Sequence, residues 1–525
     1  MMSDPSEHSK SLCTGKNPEK TSSRYGYSSR SAFAQVIATL IQSWLILENG
    51  LLFGAPTLIL GALHRNSSAE GLRMNDDEAS WFGAIPSICT PLASFASGYL
   101  QDRFGRKGVA LLANIPILAT WLLLYTANSI PALYIGAGMM GLSQGLAEAP
   151  IISYTGEISE PHLRGILSTI TSTAVMIGMI IMFVLGYYFD WRTATLISAA
   201  FPIITIAVMT QIPESPTWLL GKNRLDDARR SLCWLRGWIS NEEVEEEFQS
   251  LVNYTRNSAK EDCSATSNGH VQESCNVKSN GFIKMHYNIL TRKNVLRPLR
   301  LVMLTAFFTF VTVLVGMRPY YINELKALNS PLDPKLLLII GQFLFIGGAV
   351  TNMAVLWMTG KRMLVLFSYL TAAISILGLA FYSSLLKDSA TWLTWIPIVL
   401  LCVISFLSGL SILILPWQLS GEVFPPVGRG LATGISAAWT HLVISALIKS
   451  YLYMKAWVGF SGVMYLHCAC VAIGFVYLYC NLPETEGKSL EQIETYFTKN
   501  VSRREKFSIS KATNKSKALR GDQRL

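Results

Sequence analysis

The sequence predicts an all-α membrane protein in which twelve transmembrane helices form two pseudo-symmetric six-helix bundles. Half of its 525 residues are hydrophobic and 15% are charged, whereas soluble domains contain roughly 25% charged residues. Apolar stretches of about 20 residues, the length needed to cross a hydrocarbon core of about 30 Å, recur along the chain. A short charged motif also occurs twice, which indicates that the two halves of the chain are related.

The apolar segments fall into two groups of six. The first group makes up an N-terminal bundle at 33–212, with segments near 33–60, 79–100, 109–127, 130–153, 167–188 and 192–211. The second group makes up a C-terminal bundle at 298–481, with segments near 298–321, 335–357, 363–386, 391–417, 430–452 and 457–481. Because irregular backbone is not tolerated against lipid, we expect each of these segments to be helical.

The basic residues predict the orientation of the chain in the lipid bilayer. An even number of spans places both termini on one side of the membrane. The basic loop 102–107, the pair Lys361 and Arg362, and the tail after Lys499 indicate that this side is the cytoplasm. The same distribution accounts for the net charge of +10, so no nucleic-acid partner is predicted.

Three polar segments are expected in the cytoplasm: an N-terminal tail at 1–32 without the apolar core of a signal peptide, a linker at 213–297 and a C-terminal tail at 482–525. The linker contains two amphipathic stretches that predict short helices, followed by a Ser/Asn-rich run at 264–280 that predicts disorder. On the opposite side, the sequon at Asn66 predicts N-glycosylation. The nine cysteines are scattered, and we expect reduced thiols without a metal site.

The repeated motif places a glutamate and an arginine at the same edge of each half. One copy runs from Glu157 to Arg164 and the other from Glu422 to Arg429, each followed by glycine. The same interval separates the two glutamates and the two arginines. Opposite charges repeated at one edge of two bundles suggest a latch between halves that opens and closes, which is the physics of a transporter.

Five motifs in order carry a resemblance to a known family. They are the turn G-Y-L-Q-D-R-F-G-R-K at 98–107, Tyr154-x-x-Glu157, Pro213-Glu-Ser-Pro216, Glu422-Val-Phe-Pro425 and Pro483-Glu-Thr-Glu-Gly-Lys488. Together they resemble the sugar porter family of the major facilitator superfamily, and within it the insect facilitated trehalose transporter-like proteins. The resemblance implies the major facilitator fold and passage of a sugar across the plasma membrane, with no cofactor.

The resemblance also implies a network of gating salt bridges on the cytoplasmic side. The second copy of the inter-span turn departs from the family pattern, since Trp357 stands where the family has an aspartate. We therefore expect a weaker network in the C-terminal half; the alternative is that these charges only fix loops and topology. The implied gating residues are Asp102, Arg103, Arg106, Glu157, Arg164, Lys361, Arg362, Glu422 and Arg429.

The residues expected to contact the substrate depart further from the family. Sugar porters offer buried amides to sugar hydroxyls, because an amide both donates and accepts hydrogen bonds. Here the amide-bearing stretch of the seventh span is replaced by 310–316, and Ala438 replaces an asparagine. A cavity with so few amides should bind a hexose poorly. The remaining substrate-binding candidates are Gln144, Gln342, Trp417, Gln418, Trp439 and His441.

Two acidic residues lie inside predicted spans, Glu48 in the first and Glu148 in the fourth. A carboxylate at the bilayer centre costs about 2.5 to 3.5 kcal/mol on insertion scales, so each should face a cavity or be protonated. Glu48 or Glu148, with His441, is therefore a candidate for carrying protons. The alternative is a hydrogen-bonded structural acid.

Three functions remain open at this stage. Facilitated passage of a sugar or related small polyol, trehalose included, is favoured. A proton-coupled symporter is the rival within the same class, and a membrane sugar sensor without net transport is the rival from another class. No catalytic constellation predicts an enzyme, and the expected partners are a small solute and the lipid bilayer.

Overall fold

The computed structural model describes residues 29–64, 72–160, 163–265, 293–386, 391–424, 429–485, 493 and 496–497. Asn66 and most of the Ser/Asn-rich run lie outside the described residues. The apolar segments form helices that we number as spans in chain order.

The N-terminal bundle contains spans 1 to 6. Span 6 is divided into two helices at Ala199, and the other five are each a single helix. Their bounds are Ser29–Leu63 for span 1, Asp76–Phe104 for span 2, Arg106–Thr126 for span 3, Ile130–Ile158 for span 4, Arg164–Tyr188 for span 5, and Trp191–Ser198 with Ala200–Met209 for span 6.

The C-terminal bundle contains spans 7 to 12 and is less regular. Spans 11 and 12 form the helix Arg429–Asn481, which kinks at Gly459, where φ is 71°. The remaining bounds are Lys293–Thr312 with Tyr321–Ala327 for span 7, Pro334–Thr359 for span 8, Lys361–Phe381 for span 9, and Trp395–Leu407 with Leu415–Glu422 for span 10.

Twelve spans therefore account for the described membrane helices, as predicted. Length and apolarity alone identify 8 of the described helices as able to cross a membrane. The last of these covers both span 11 and span 12. Spans 2 and 4 are less apolar than these eight, and the described part of span 5 contributes a shorter apolar helix, Thr173–Tyr188.

Glycines at helix crossings allow the spans within each bundle to approach closely. A Cβ atom added at Gly178 of span 5 would overlap the carbonyl oxygen of Leu47 of span 1, and one added at Gly141 of span 4 would overlap that of Pro86 of span 2. The C-terminal bundle has a similarly close crossing of spans 8 and 10, because a Cβ atom at Gly348 of span 8 would overlap the carbonyl oxygen of Phe406 of span 10. Small residues at such crossings are how membrane helices pack without a hydrophobic driving force.

The linker forms short helices at one end of the N-terminal bundle. Their bounds are Pro216–Gly221, Leu225–Leu235 and Asn241–Ala265. They enclose a small apolar cluster that includes Leu219, Leu232 and Phe248, and the indole nitrogen of Trp218 donates to the carbonyl oxygen of Asp102 at 3.2 Å. We call this end of the bundles the linker side and the opposite end the distal side.

Span 7 is broken near its distal end, although its apolar sequence predicts one continuous helix. The first helix ends at Thr312, and a 3-10 turn, Arg318–Tyr320, begins the second part. Between them Leu314 has a φ of 52°, the left-handed region that non-glycine residues rarely adopt. Interrupted helices of this kind are common where transporters bind their solutes.

Candidate functional site

Two equivalent turns on the linker side connect spans 2 and 3 and spans 8 and 9. Gly105 and Gly360 have φ values of 87° and 77°, so each turn needs a residue without a Cβ atom. In the first turn the backbone N–H of Arg106 donates to a carboxylate oxygen of Glu214 at 3.1 Å. In the second, the backbone N–H of Lys361 donates to Glu484 at 3.2 Å. Each carboxylate therefore caps the positive end of the next helix.

In the N-terminal bundle, Arg106 forms an ion pair with Glu157, the glutamate of the first repeated motif. The two groups are 2.7 Å apart, and the Arg106 Nε atom also donates to Glu157 at 2.9 Å. The hydroxyl groups of Ser215 and Thr217 donate to the other Glu157 oxygen, the latter at 2.8 Å. Asp102 lies 4.0 Å from Arg106 and its side chain is 82% exposed, so it contributes little to this cluster.

In the C-terminal bundle, Lys361 takes the place of that arginine. Its Nζ atom contacts both oxygens of Glu422, at 2.6 and 2.7 Å, and its side chain is almost fully buried. Arg362 donates from its Nη2 atom to the carbonyl oxygen of Tyr479 at 2.6 Å.

The ion pairs Arg106–Glu157 and Lys361–Glu422 are therefore each formed within one bundle. Arg103 is exposed, and its guanidinium lies 5.6 Å from the ring centroid of Phe104. Arg164 and Arg429 begin spans 5 and 11, and their side chains are outside the described part of the chain.

On the distal side, an ion pair joins the two bundles. Lys449 of span 11 donates to Asp77 of span 2 at 2.8 Å and to the hydroxyl of Ser80 at 2.8 Å. The hydroxyl of Tyr453 also donates to Asp77. The Lys449 ammonium lies 4.1 Å from the ring centroid of Trp81, a cation–π contact that adds to the ion pair.

A second group of distal contacts connects span 7 to the N-terminal bundle. The Asn323 amide lies 3.3 Å from the Nδ1 atom of His64, whose Nε2 atom lies 2.8 Å from Asp76. The hydroxyl of Tyr320 donates to the carbonyl oxygen of Ala79 at 3.4 Å. Because these groups belong to different bundles, any opening of the distal side must separate them.

In the middle of the spans, Glu148 and His441 lie next to each other. Glu148 belongs to the N-terminal bundle and His441 to the C-terminal bundle, and their nearest N and O atoms are 3.7 Å apart. The distance allows an ion pair when the histidine is protonated, but it is too long for a hydrogen bond. The structure thus brings together two residues that the sequence suggested separately.

Glu48 lies apart from that pair, inside the N-terminal bundle. Its side chain is fully buried and accepts a hydrogen bond from the hydroxyl of Thr205 in span 6. Its second carboxylate oxygen has no hydrogen-bond partner among the described residues. Glu48 therefore contacts another helix of its own bundle, which fits a structural acid as well as a proton carrier.

The substrate-binding candidates lie in different environments. The indole nitrogen of Trp439 donates to the carbonyl oxygen of Met303 at 3.0 Å, and its ring packs against an apolar cluster containing Phe310 and Val315. This cluster occupies the stretch where the sequence lacks amides. Gln144 is buried, Gln342 and Gln418 are partly buried, and Trp417 is 40% exposed.

Comparison with known proteins identifies the family. The model of the family described as "Sugar (and other) transporter" matches residues 35–497, nearly the whole chain. The chain belongs to this family. Its members transport solutes, so the chain is a multi-pass membrane transporter and not an enzyme.

Individual relatives and solved structures agree with that assignment. The chain is 28% identical to the facilitated trehalose transporter Tret1 of Apis mellifera ligustica over 474 residues, 89% of each chain. It is 27% identical to the protein of that name from Polypedilum vanderplanki, covering 84% of this chain and 83% of the relative. Its fold is similar to the inward-open xylose transporter XylE of E. coli, with a TM-score of 0.66, 18% identity and coverage of 89% and 99%.

Several residues of the site were missed by sequence reasoning. Glu214 and Glu484 stand in the two Pro-Glu motifs, and the repetition of that dipeptide could have suggested equivalent roles. Lys449 and Arg318 are basic residues within predicted spans 11 and 7. Their charge inside an apolar segment was a signal that sequence reasoning did not use.

Proposed function

We propose that this protein moves a sugar or a related small polyol, trehalose included, across the plasma membrane by facilitated diffusion. The linker side and both termini face the cytoplasm, since the basic loops lie there. Family membership and the trehalose transporters among its relatives support the substrate class. Asn66 then lies in an outer loop and carries the glycan.

The position of the cross-bundle contacts is the observation that carries this proposal. Asp77–Lys449 and His64–Asn323 join the bundles at the distal side, while the linker-side pairs Arg106–Glu157 and Lys361–Glu422 each stay within one bundle. This is the arrangement expected of a state that is closed to the outside. In alternating access, rocking of the two bundles about a central site breaks the distal contacts and forms new ones on the linker side.

The nine implied gating residues act in that second set of contacts. When the linker side closes, Arg164 and Arg429 approach the glutamates of the opposite bundle and form the cytoplasmic gate. The N-terminal bundle at 33–212 and the C-terminal bundle at 298–481 then move as units. Glu157 and Glu422 are central to this change. Each is already paired with a cation of its own bundle and must accept a second cation from the opposite bundle.

Uptake by the purified full-length protein in proteoliposomes tests this proposal. Radiolabelled trehalose, hexoses and polyols are presented with and without an imposed proton gradient, and protein-free liposomes give the background. We expect saturable flux that equilibrates without a gradient. Absence of saturable flux for every sugar and polyol would contradict transport and favour the sensor.

Proton-coupled symport is the second candidate, and the Glu148–His441 contact favours it. The two groups lie in different bundles, so a proton that binds to one of them changes the attraction between the bundles. A proton gradient should then accelerate uptake, and Glu148→Gln should abolish that acceleration. Glu48→Gln is the matched variant, because Glu48 is a buried acid that contacts only its own bundle in the described residues.

A further inference from the structure

The broken part of span 7 presents an arginine to the space between the two bundles. Arg318 is the first residue of the 3-10 turn that follows the break. Its backbone carbonyl accepts a hydrogen bond from Thr57 of span 1 at 3.3 Å, and its Nη2 atom lies 2.6 Å from the Sδ atom of Met179 of span 5. Both contacts are to the N-terminal bundle, although Arg318 belongs to the C-terminal bundle.

The guanidinium has no carboxylate partner among the described residues. Three acidic groups on this side have partners of their own: Glu324 with Lys455 at 2.6 Å, Asp77 with Lys449 at 2.8 Å and Asp76 with His64 at 2.8 Å. A thioether such as Met179 is only a weak acceptor. A partly buried charge without an opposite charge is unfavourable inside a membrane protein and marks a functional position.

Most of the N–H groups of Arg318 remain available to a ligand. A guanidinium carries five donors in a planar fork, and only one has an acceptor among the described residues. Arg318 is partly buried, and none of its nitrogen atoms is fully enclosed without a partner. Each unused nitrogen atom therefore keeps some accessible surface.

The neighbouring wall selects the kind of ligand. Phe310, before the break, and Val315, within it, belong to an apolar cluster that also contacts Trp439, so apolar side chains stand there in place of amides. A neutral sugar would find few partners on this wall. A planar carboxylate matches the guanidinium fork with two parallel hydrogen bonds. A phosphate ester carries a second charge, for which the described residues offer no second unpaired cation beside Arg318.

We propose that Arg318 binds the carboxylate of the transported solute, so that the cargo is a sugar acid or a comparable small polyol with one carboxylate. The inference rests on the proposed transport function and narrows its substrate class. The carboxylate takes the place of the Met179 sulfur at the guanidinium. Because Arg318 and Met179 lie on different bundles, solute binding loosens one distal contact and favours movement between states.

Competition and direct uptake in proteoliposomes test the proposal with the full-length protein. The probes are radiolabelled glucuronate and glucose, which differ at one carbon, and unlabelled glucuronate as competitor. We expect wild-type protein to prefer glucuronate. Arg318→Gln should lower glucuronate uptake by about tenfold or more, because charged hydrogen bonds contribute strongly, and should leave glucose uptake within about twofold. Arg318→Lys keeps the positive charge but lacks the planar fork of donors. Its glucuronate uptake should therefore lie between that of wild-type protein and that of Arg318→Gln.

The matched control is Arg300→Gln, which removes the same side chain from an exposed position on the same span and should leave both fluxes unchanged. Thermal unfolding of each purified variant separates misfolding from lost binding. The competition measurement uses wild-type protein only, so its result does not depend on whether a variant folds. If wild-type protein took up glucose and glucuronate did not compete with it, the proposal about Arg318 would be overturned, while sugar transport itself would stand. Loss of all flux in wild-type protein would instead contradict the proposed function itself.

Discussion

The linker-side turns of the N-terminal and C-terminal bundles have the same arrangement, but their glutamates accept from different numbers of donors. Glu157 accepts from Arg106, Ser215 and Thr217, whereas the described contacts of Glu422 come from Lys361. The residue equivalent to Ser215 is Thr485, whose buried hydroxyl has no partner among the described residues.

This difference indicates which glutamate exchanges partners more easily. A carboxylate held by several donors keeps its position when one of them leaves, whereas one held by a single ion pair depends on that pair. The sequence predicted a weaker C-terminal network because Trp357 replaces an aspartate. The aspartate of the N-terminal turn, Asp102, is largely exposed. The hydroxyl groups that follow Glu214 therefore distinguish the halves more than that aspartate does.

The largest expected effect tests whether the helix crossings of the two bundles are equally sensitive to an added methyl group. Gly141→Ala and Gly348→Ala each place a methyl group against a backbone carbonyl of the neighbouring span. Because backbone cannot move aside as a side chain can, we expect each to destabilise its bundle by about 3 kcal/mol or more. Thermal unfolding in detergent, followed by fluorescence-detected size-exclusion chromatography, measures the effect.

Gly347→Ala is the control, because Gly347 adjoins Gly348 on the same helix and a Cβ atom there meets nothing within 4 Å. It should be neutral or slightly stabilising. If Gly348→Ala behaved like Gly347→Ala while Gly141→Ala unfolded the protein, the two crossings would not be equivalent.

The second prediction concerns the gate glutamates directly. Glu422→Gln leaves the buried Lys361 ammonium without its counter-charge, and breaking a buried pair costs about 3 kcal/mol or more. Glu157→Gln should cost about 1 kcal/mol, because the amide still accepts from Ser215 and Thr217 while Arg106 is more exposed. Thermal unfolding of the purified variants gives the comparison.

The double variant Lys361→Met with Glu422→Gln should recover most of the stability lost in Glu422→Gln alone, since it removes both charges. Equal losses for Glu157→Gln and Glu422→Gln would show that the additional hydroxyl donors are unimportant. The asymmetry between the two turns would then have no energetic meaning.

The third prediction tests the distal contacts, which are formed in one conformational state and broken in the other. Lys449→Gln removes an ion pair between the bundles, and Lys455→Gln removes one between spans 7 and 11 of the same bundle. A partly exposed pair contributes about 1 kcal/mol, so Lys449→Gln should shift the population of distal-open molecules by about fivefold. Lys455→Gln should leave that population unchanged.

Spin-label distances report this shift. Labels at Asn128 and Lys326, exposed distal residues of the two bundles, are introduced into a variant without native cysteines. A longer distance should gain population in Lys449→Gln only. The same gain in Lys455→Gln would mean that loosening the C-terminal bundle, and not the cross-bundle pair, opens the distal side.

The sequence predicts the spans well but not the contacts between them. Apolarity is a local property, so the predicted first span at 33–60 lies within the helix Ser29–Leu63. The break at Leu314 is different, because no local sequence pattern predicts a non-glycine residue in the left-handed region. The cap on Lys107 by Glu214 joins residues far apart in sequence, and only the folded chain shows it.

For the candidate site, too, the sequence identifies the residues but not their contacts. Glu48, Glu148 and His441 stand out in sequence because polar residues are costly in a membrane. That Glu148 meets His441 while Glu48 meets Thr205 depends on which faces of the helices adjoin. The roles of these residues stay predictions.

The smallest expected effect compares the starts of spans 6 and 12. Asp190 caps span 6 by accepting from the backbone N–H groups of Arg192 and Thr193, each at 3.1 Å, whereas span 12 begins at the kink of Gly459. Asp190→Ala should destabilise the N-terminal bundle by about 1 kcal/mol, and Asp190→Asn, which can still cap, by less. Thermal unfolding at neutral pH measures both.

The pH dependence identifies the cap as the cause. The hydroxyl of Thr193 and neighbouring backbone N–H groups hold the pKa of Asp190 below its ordinary value. A depressed carboxyl pKa contributes stability that is present above the unfolded pKa and is lost as pH falls through the folded pKa. The difference between wild-type protein and Asp190→Ala should therefore be constant from neutral pH down to about pH 5 and shrink below about pH 4. A difference that persisted at lower pH would assign the effect to packing instead of the charged cap.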